Sequence, residues 1–175
     1  MNKELKTIIE SDFSVKSVKT FMGREGYGVN ANIYYKNRKI GHIIDSGDGG
    51  CLDITYYTKV NGKDKWSFKN PDVDSFVSKL SDHDEEDMWN ALINEYLLMA
   101  DFKKAMKKIQ VLHNDKVFTF TKDNASSFLN KKYRYNGENN VSFRTIIKDK
   151  YDGCVILNDI PTKEALGFFK TYCIN

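Results

Sequence analysis

His42 precedes Asp45 by three residues, a spacing that could place an imidazole and a carboxylate on a strand and its following turn as a general acid–base pair. A surface or half-buried structural histidine is the plainer reading. Neither His42, His83 nor His113 has another His or a Cys within three to five residues, so zinc-ligand spacing is absent. The run Asp45-Ser46-Gly47-Asp48-Gly49-Gly50-Cys51-Leu52-Asp53 suggests calcium at first sight. An EF-hand loop, however, needs oxygen ligands at alternate positions and a Glu at the twelfth. Here the alternates are Gly47 and Gly49, and Tyr56 stands twelfth, so turn chemistry is preferred. Asp53 with Lys59 is the one passable metal-dependent nuclease candidate, and its spacing is not a convincing match to a nuclease pattern. No GxSxG, GxxxxGK[ST] or HExxH motif occurs. Gly23, Gly26 and Gly28 spell G-x-x-G-x-G, the reverse of the dinucleotide fingerprint, and precede a strand where that fingerprint needs a helix. An enzyme would rest on His42, Asp45, Asp48 and Asp53 and ranks last. The expectation is no catalytic residue, no metal and no cofactor.

Two charged features suit binding instead. Asp82, Asp84, Glu85, Glu86 and Asp87, with His83 among them, open a long helix whose far end carries Lys103, Lys104, Lys107 and Lys108. Such a distribution complements the helix macrodipole. It could also form an acidic knob that meets the basic groove of a nucleic-acid-handling protein. The second feature is Lys131, Lys132, Tyr133 and Arg134, followed by Arg144, Lys148 and Lys150. Bases stack on Tyr while Lys and Arg take phosphates, so this stretch is the alternative, nucleic-acid-binding candidate. A helix end plus an exposed polar loop explains it more simply. Lys36, Arg38 and Lys39 read as a charged hairpin turn.

The elements that must position these groups follow from composition and period. The 175 residues, 41% hydrophobic and 29% charged, suit one domain over 1–175 with a real core. Net charge is +3, too small to imply nucleic acid by itself. Cys51, Cys154 and Cys173 lack CxxC spacing and read as free buried thiols of a reducing cytoplasm. The N-terminus lacks the apolar region of a signal peptide, and no stretch reaches the ~18–20 apolar residues of a membrane span. A cytoplasmic protein is expected.

A short helix over 2–11 precedes period-two patterning. Phe13, Val15, Val18 and Phe21 lead into the Gly23–Gly26 turn, and Tyr27, Val29, Ala31, Ile33 and Tyr35 alternate with polar neighbours. Ile40, Ile43 and Ile44 form a third strand and Cys51–Tyr57 a fourth, with Trp66 and Phe68 a fifth after the Asn61-Gly62 turn. Pro71 opens a helix through Leu80, and the spacing of Trp89, Leu92, Ile93, Tyr96, Met106 and Ile109 predicts a helix from about Asp84 to Gln110. Beyond it, Lys116–Lys122 reads as a strand, Asn124–Tyr133 and Asn140–Tyr151 as helices, Cys154–Leu157 as a buried strand and Pro161–Tyr172 as a closing helix. The expected class is α+β. An N-terminal antiparallel meander of four or five strands (1–69) packs against a long amphipathic helix, the second of the helices over 70–110, with a smaller mixed α/β part over 111–175.

The segment Gly23-Arg24-Glu25-Gly26-Tyr27-Gly28-Val29-Asn30-Ala31, then Lys39-Ile40, then Asp45-Ser46-Gly47-Asp48-Gly49-Gly50, resembles small proteins of phages and mobile elements. Many of these share a G-x-E-G-x-G-x-N-A hairpin followed by an acidic Gly-Gly turn. Val155-Ile156-Leu157-Asn158-Asp159 is similar to their final strand. The resemblance implies a genetic setting, and by analogy of fold and context such proteins are similar to anti-CRISPR inhibitors of host defence. It supplies no catalytic residue, and its Gly and Asp positions read as turn requirements. The leading expectation is therefore a phage or mobile-element inhibitor in the host bacterial cytoplasm. It would block a defence nuclease complex, a Cas nuclease foremost, by occlusion through the acidic run. The alternative is a small RNA- or DNA-binding protein.

Overall fold

The computed structural model describes residues 3–60, 63–120 and 124–173, and of residues 59, 60, 63 and 64 the backbone alone. The chain divides into two compact units, 1–98 and 99–175. In the first, helix α1 (Lys3–Ile9) leads into five strands: β1 (Phe13–Met22), β2 (Tyr27–Tyr35), β3 (Arg38–Asp45), β4 (Asp53–Val60) and β5 (Lys63–Ser67). They pair in sequence order as an antiparallel sheet, the meander that short connections require. The Asn61-Gly62 turn lies outside the described residues. Side chains alternate between faces. Phe13, Val15, Val29, Ala31, Ile33, Ile43 and Tyr56 are buried together on the inner face. Ile8, Val73, Met88, Trp89, Leu92 and Ile93 from α1, α2 (Pro71–Val77) and α3 (Glu85–Ala105) join them. Asn70 caps α2, its Oδ1 accepting from the backbone N–H groups of Asp72 and Val73, with Pro71 at the first helical position.

The second unit departs from the sequence reading in three places. Helix α3 ends at Ala105, and Ile109–His113 forms β6, not a further helical turn. β6 is the centre of a three-stranded sheet between β10 (Val155–Ile156) and β7 (Lys116–Phe120). Its first four residues are all buried, so no period-two signal exists, and Ile109 fell into helical phase by coincidence. The expected helix over Asn124–Tyr133 shrinks to α4 (Ala125–Leu129), and Lys132–Tyr135 is strand β8. It pairs with β9 (Glu138–Ser142) across Asn136-Gly137, both at positive φ, as a two-residue hairpin turn demands. The expected helix over Asn140–Tyr151 therefore begins only at Phe143, as α5 (Phe143–Lys150). A 3-10 turn (Leu157–Asp159) and α6 (Thr162–Tyr172) complete the unit. Asn158 ties it together: its Oδ1 accepts from Gln110 N at 2.9 Å, and its Nδ2 donates to the carbonyls of Met106 and Lys108. The cysteines are free, but Cys51 and Cys173 are exposed and Cys154 half-buried, which corrects the expectation of buried thiols.

The Gly-rich segments at one end of the first sheet meet each other. Gly23 N donates to Gly26 O at 2.7 Å, closing the β1–β2 turn, and Glu25 N reaches across to Gly47 O at 2.8 Å. Gly47 N is held by Asp45 Oδ1 at 2.8 Å. A Cβ at Gly23 would stand 2.4 Å from Ser46 O, and one at Gly47 within 2.9 Å of the backbone of Gly28, Gly23 and Gly26. Gly47 also has φ +70°, a region L side chains avoid. Two turns thus interlock backbone to backbone, which explains glycine at these positions without any ligand. Gly47→Ala should destabilise the protein by about 1–3 kcal/mol. Gly50→Ala, with nothing within 4 Å of the added methyl, should change little. Urea denaturation of both variants checks this, and equal midpoints would contradict the interlock.

Candidate nucleic-acid interface

Four of the five acidic residues at the start of α3 are engaged within the fold, Glu85 and Glu86 holding the helix to the sheet and Asp84 and Asp87 capping it. Asp84 and Asp87 cap the first turn reciprocally, Asp87 N donating to Asp84 Oδ1 at 2.9 Å and Asp84 N to Asp87 Oδ2 at 3.2 Å. Glu86 Oε1 accepts from the backbone N–H of Leu52. Glu85 accepts from the hydroxyl of Tyr56, which in turn accepts from Trp89 Nε1 at 3.0 Å. Tyr56 and Trp89 are fully buried. Asp82 is exposed, with its backbone N–H on Glu4. Asp87 also lies 3.7 Å from His83 Nδ1.

The residues of the second predicted site gather in the C-terminal unit around the β8–β9 hairpin and α5. Lys131 lies over the Phe128 ring at 5.1 Å, and Tyr133 packs its ring against Phe128 and Phe143. Arg144 is committed to structure. Its Nε and Nη2 grip both carboxylate oxygens of Asp159 at 2.6 and 2.9 Å, and Nη1 donates to Asn130 Oδ1. Lys132, Arg134, Lys148 and Lys150 are exposed, Lys150 lying over the Tyr151 ring at 5.6 Å. Acids are interspersed: Asp149 accepts from Tyr135, and Glu138 shares the hairpin.

The residues considered for catalysis do not assemble into a metal cage. Asp45 is used in its own turn, Asp48 is exposed, and His42 packs edge-on to Trp66 at 5.2 Å. Among the described residues no three His, Cys, Asp or Glu side chains are grouped to hold an ion.

A surface that the sequence reading did not assemble lies on the outer face of the five-stranded sheet. The register places Lys16, Asn32, His42 and Thr55 in one row across four strands. Lys19, Asn30, Ile44 and Asp53 form the next. On the other side of the first row lie Tyr34 with Lys39, and Tyr57 with Trp66. Each aromatic is matched to a neighbour: Lys16 Nζ lies 4.5 Å from the Tyr34 ring, Lys39 Nζ 5.4 Å from Tyr57, and the Tyr57 and Trp66 rings are 4.5 Å apart. Trp66 remains 56% exposed. The face therefore carries planar rings interleaved with ammonium groups and amides, with Asp53 as its carboxylate among the described side chains. The signal was present as the polar phase of each alternating strand, but the cross-strand register that gathers it is invisible in one sequence.

No family model matches the chain, and no curated protein or solved structure is significantly similar to it. Among the described residues, no helix is long and apolar enough to cross a membrane.

Tyr56→Phe would leave the Trp89 N–H and the Glu85 carboxylate without their shared partner, at an expected cost of about 1–3 kcal/mol. Burial first, and the Glu85 carboxylate second, push the Tyr56 phenol well above its ordinary value. The folded chain keeps this proton where the unfolded chain loses it. That contribution is complete below the ordinary tyrosine pKa of about 10 and declines as pH rises beyond it. Urea midpoints followed from about pH 8 to about pH 11 should fall more steeply in the wild type than in Tyr56→Phe. Parallel curves would contradict the assigned bond.

Proposed function

We propose that this chain binds single-stranded nucleic acid on the outer face of its five-stranded sheet. The observation that carries the reading is the in-register alternation of rings and ammonium groups, Tyr34, His42, Tyr57 and Trp66 with Lys16, Lys19 and Lys39. Bases stack on exposed aromatic rings whatever their sequence, at about 1–3 kcal/mol per base, while lysines neutralise the phosphates beside them. A protein partner fits less well, because the centre of a protein interface is depleted in lysine and other charges. A duplex fits less well too, since its bases offer no open π-face to a broad sheet. Asn30, Asn32 and Thr55 add hydrogen-bonding groups between the rings.

The resemblance to phage and mobile-element proteins supports a second reading, an inhibitor that occludes a bacterial defence nuclease such as a Cas nuclease in the host cytoplasm. The acidic run contributes less to it than expected, because Glu85, Glu86 and the Asp84–Asp87 pair are occupied within the fold. What favours it is the tip of the β1–β2 hairpin, where Met22 is 72% and Tyr27 75% exposed on the interlocked glycine turns. Rigid, exposed apolar side chains of this kind suit a protein contact.

Fluorescence anisotropy with a labelled single-stranded oligonucleotide separates the readings. Lys16→Glu with Lys39→Glu should weaken binding at least ~10-fold near 0.15 M salt, and the double variant should lower the slope of log affinity against log salt by roughly 1.4. Trp66→Ala should weaken binding with little change of slope. Met22→Asp with Tyr27→Asp should leave oligonucleotide affinity intact. Wild-type protein that binds no oligonucleotide at micromolar concentration would reject the sheet-face reading. Capture of a nuclease complex lost only in the Met22/Tyr27 variant would establish the second.

A further inference from the structure

We infer that the cleft lined by the start of β3 and the start of α2 binds a free nucleoside monophosphate, a planar base carrying one phosphate. The inference goes beyond the sheet-face reading and does not depend on it. The cleft has a volume of about 630 Å³, within the range of sites that enclose small molecules.

Cations outnumber acids in its lining. Arg38 and Lys39 are set against a single carboxylate, Asp72. Lys36, outside the lining, offsets that carboxylate. Tyr35 first, through a side-chain hydrogen bond, and the Asp12 and Asp72 carboxylates after it, hold the Lys36 ammonium above its ordinary pKa. Among the described residues neither Arg38 nor Lys39 forms an ion pair. Both charges are therefore left for a ligand. A guanidinium presents paired N–H groups that match two oxygens of a phosphate, and an ammonium beside it adds a second positive charge.

The rest of the lining suits a base. Tyr35 and Tyr57 supply rings, and Ile40 supplies apolar surface. Tyr35 is stacked on Phe13 at 4.6 Å and Tyr57 packs on Trp66 at 4.5 Å, so both rings are held in place before a ligand arrives. Asn70 is only 7% exposed, and its Oδ1 accepts from the backbone N–H groups of Asp72 and Val73. No described group accepts from its Nδ2, which leaves amide donors on a buried side chain that lines the cleft. A carbonyl or ring nitrogen of a base satisfies such a donor. Phosphate alone leaves the rings and the amide unused, and a nucleoside alone leaves the two cations unmatched. A nucleotide engages both sets.

Isothermal titration calorimetry with AMP, GMP, CMP and UMP, each alone, tests this, with inorganic phosphate and the matching nucleosides as controls. At least one nucleotide should bind at least about tenfold more tightly than phosphate or its own nucleoside. Arg38 is exposed and lies outside the ring-and-ammonium row of the sheet face. Arg38→Ala should weaken that nucleotide at least ~10-fold and leave affinity for a single-stranded oligonucleotide unchanged, and Arg38→Lys should recover part of the loss. Thermal melts of both variants matching the wild type would show that the effects are local. Absence of binding by every nucleotide at millimolar concentration, or nucleotide affinity that survives Arg38→Ala, would overturn the cleft site while sparing the sheet-face reading. Nucleotide binding lost in Arg38→Ala, in a protein that binds no oligonucleotide, would support the cleft site and remove the sheet-face reading.

Discussion

The N-terminal unit depends on one buried hydroxyl. Tyr56 is the inner-face residue of β4 at which the long helix is anchored, receiving the indole N–H of Trp89 and donating to Glu85 in the first helical turn. A phenol without partners in this core would cost about as much as several methylene groups of burial return. The hydrogen bonds remove that cost and fix which turn of α3 lies over which strand. Glu86 on Leu52 N adds a second tether one residue along. With the helices committed to the inner face through Tyr56, Trp89 and their apolar neighbours, the polar phase of every strand remains for another use.

The most conspicuous charge cluster of the sequence is likewise engaged in part within the fold, through Glu85, Glu86 and the Asp84–Asp87 pair. Carboxylates at a helix N-terminus are favoured by the dipole and by the unpaired backbone N–H groups there. Here they cap the helix and grip the sheet. Arg144 and Asp159 behave similarly in the C-terminal unit, where a bidentate ion pair and Asn158 join the 3-10 turn to α5 and to the start of β6. Charge runs that looked like surface features are in large part fastenings.

The meander, α1, α2 and the closing helix were legible from their periods and flanking turn residues, whereas the long helix was legible in its start and period but not in its end, which the reading carried past Ala105 to Gln110. The antiparallel sheet with α3 packed on it and the mixed C-terminal part follow the expected α+β plan. What escaped has physical causes. β6 is buried at its sheet's centre and lacks alternation. The β8–β9 hairpin was hidden by helix-compatible lysines, although its Asn136-Gly137 turn was the stronger signal. Lys36-Asn37 and Asn114-Asp115 make the same kind of turn, all four residues at positive φ, so part of the chain's asparagine serves hairpin geometry. The candidate site was the least legible part. Its residues lie on β1 to β5, and only register brings Lys16 to Asn32, Asn32 to His42 and Tyr57 to Trp66.

The chain's two tryptophans stand in opposite settings, Trp66 on the outer face and Trp89 sealed beside Tyr56. Intrinsic fluorescence during titration with an unlabelled single-stranded oligonucleotide therefore tests the central claim directly. Stacking of a base on Trp66 should produce saturable quenching of the exposed, red-shifted emission, and Trp66→Phe should abolish the change while the buried Trp89 signal persists. An oligonucleotide that binds without altering Trp66 emission, or quenching that survives Trp66→Phe, would contradict the account.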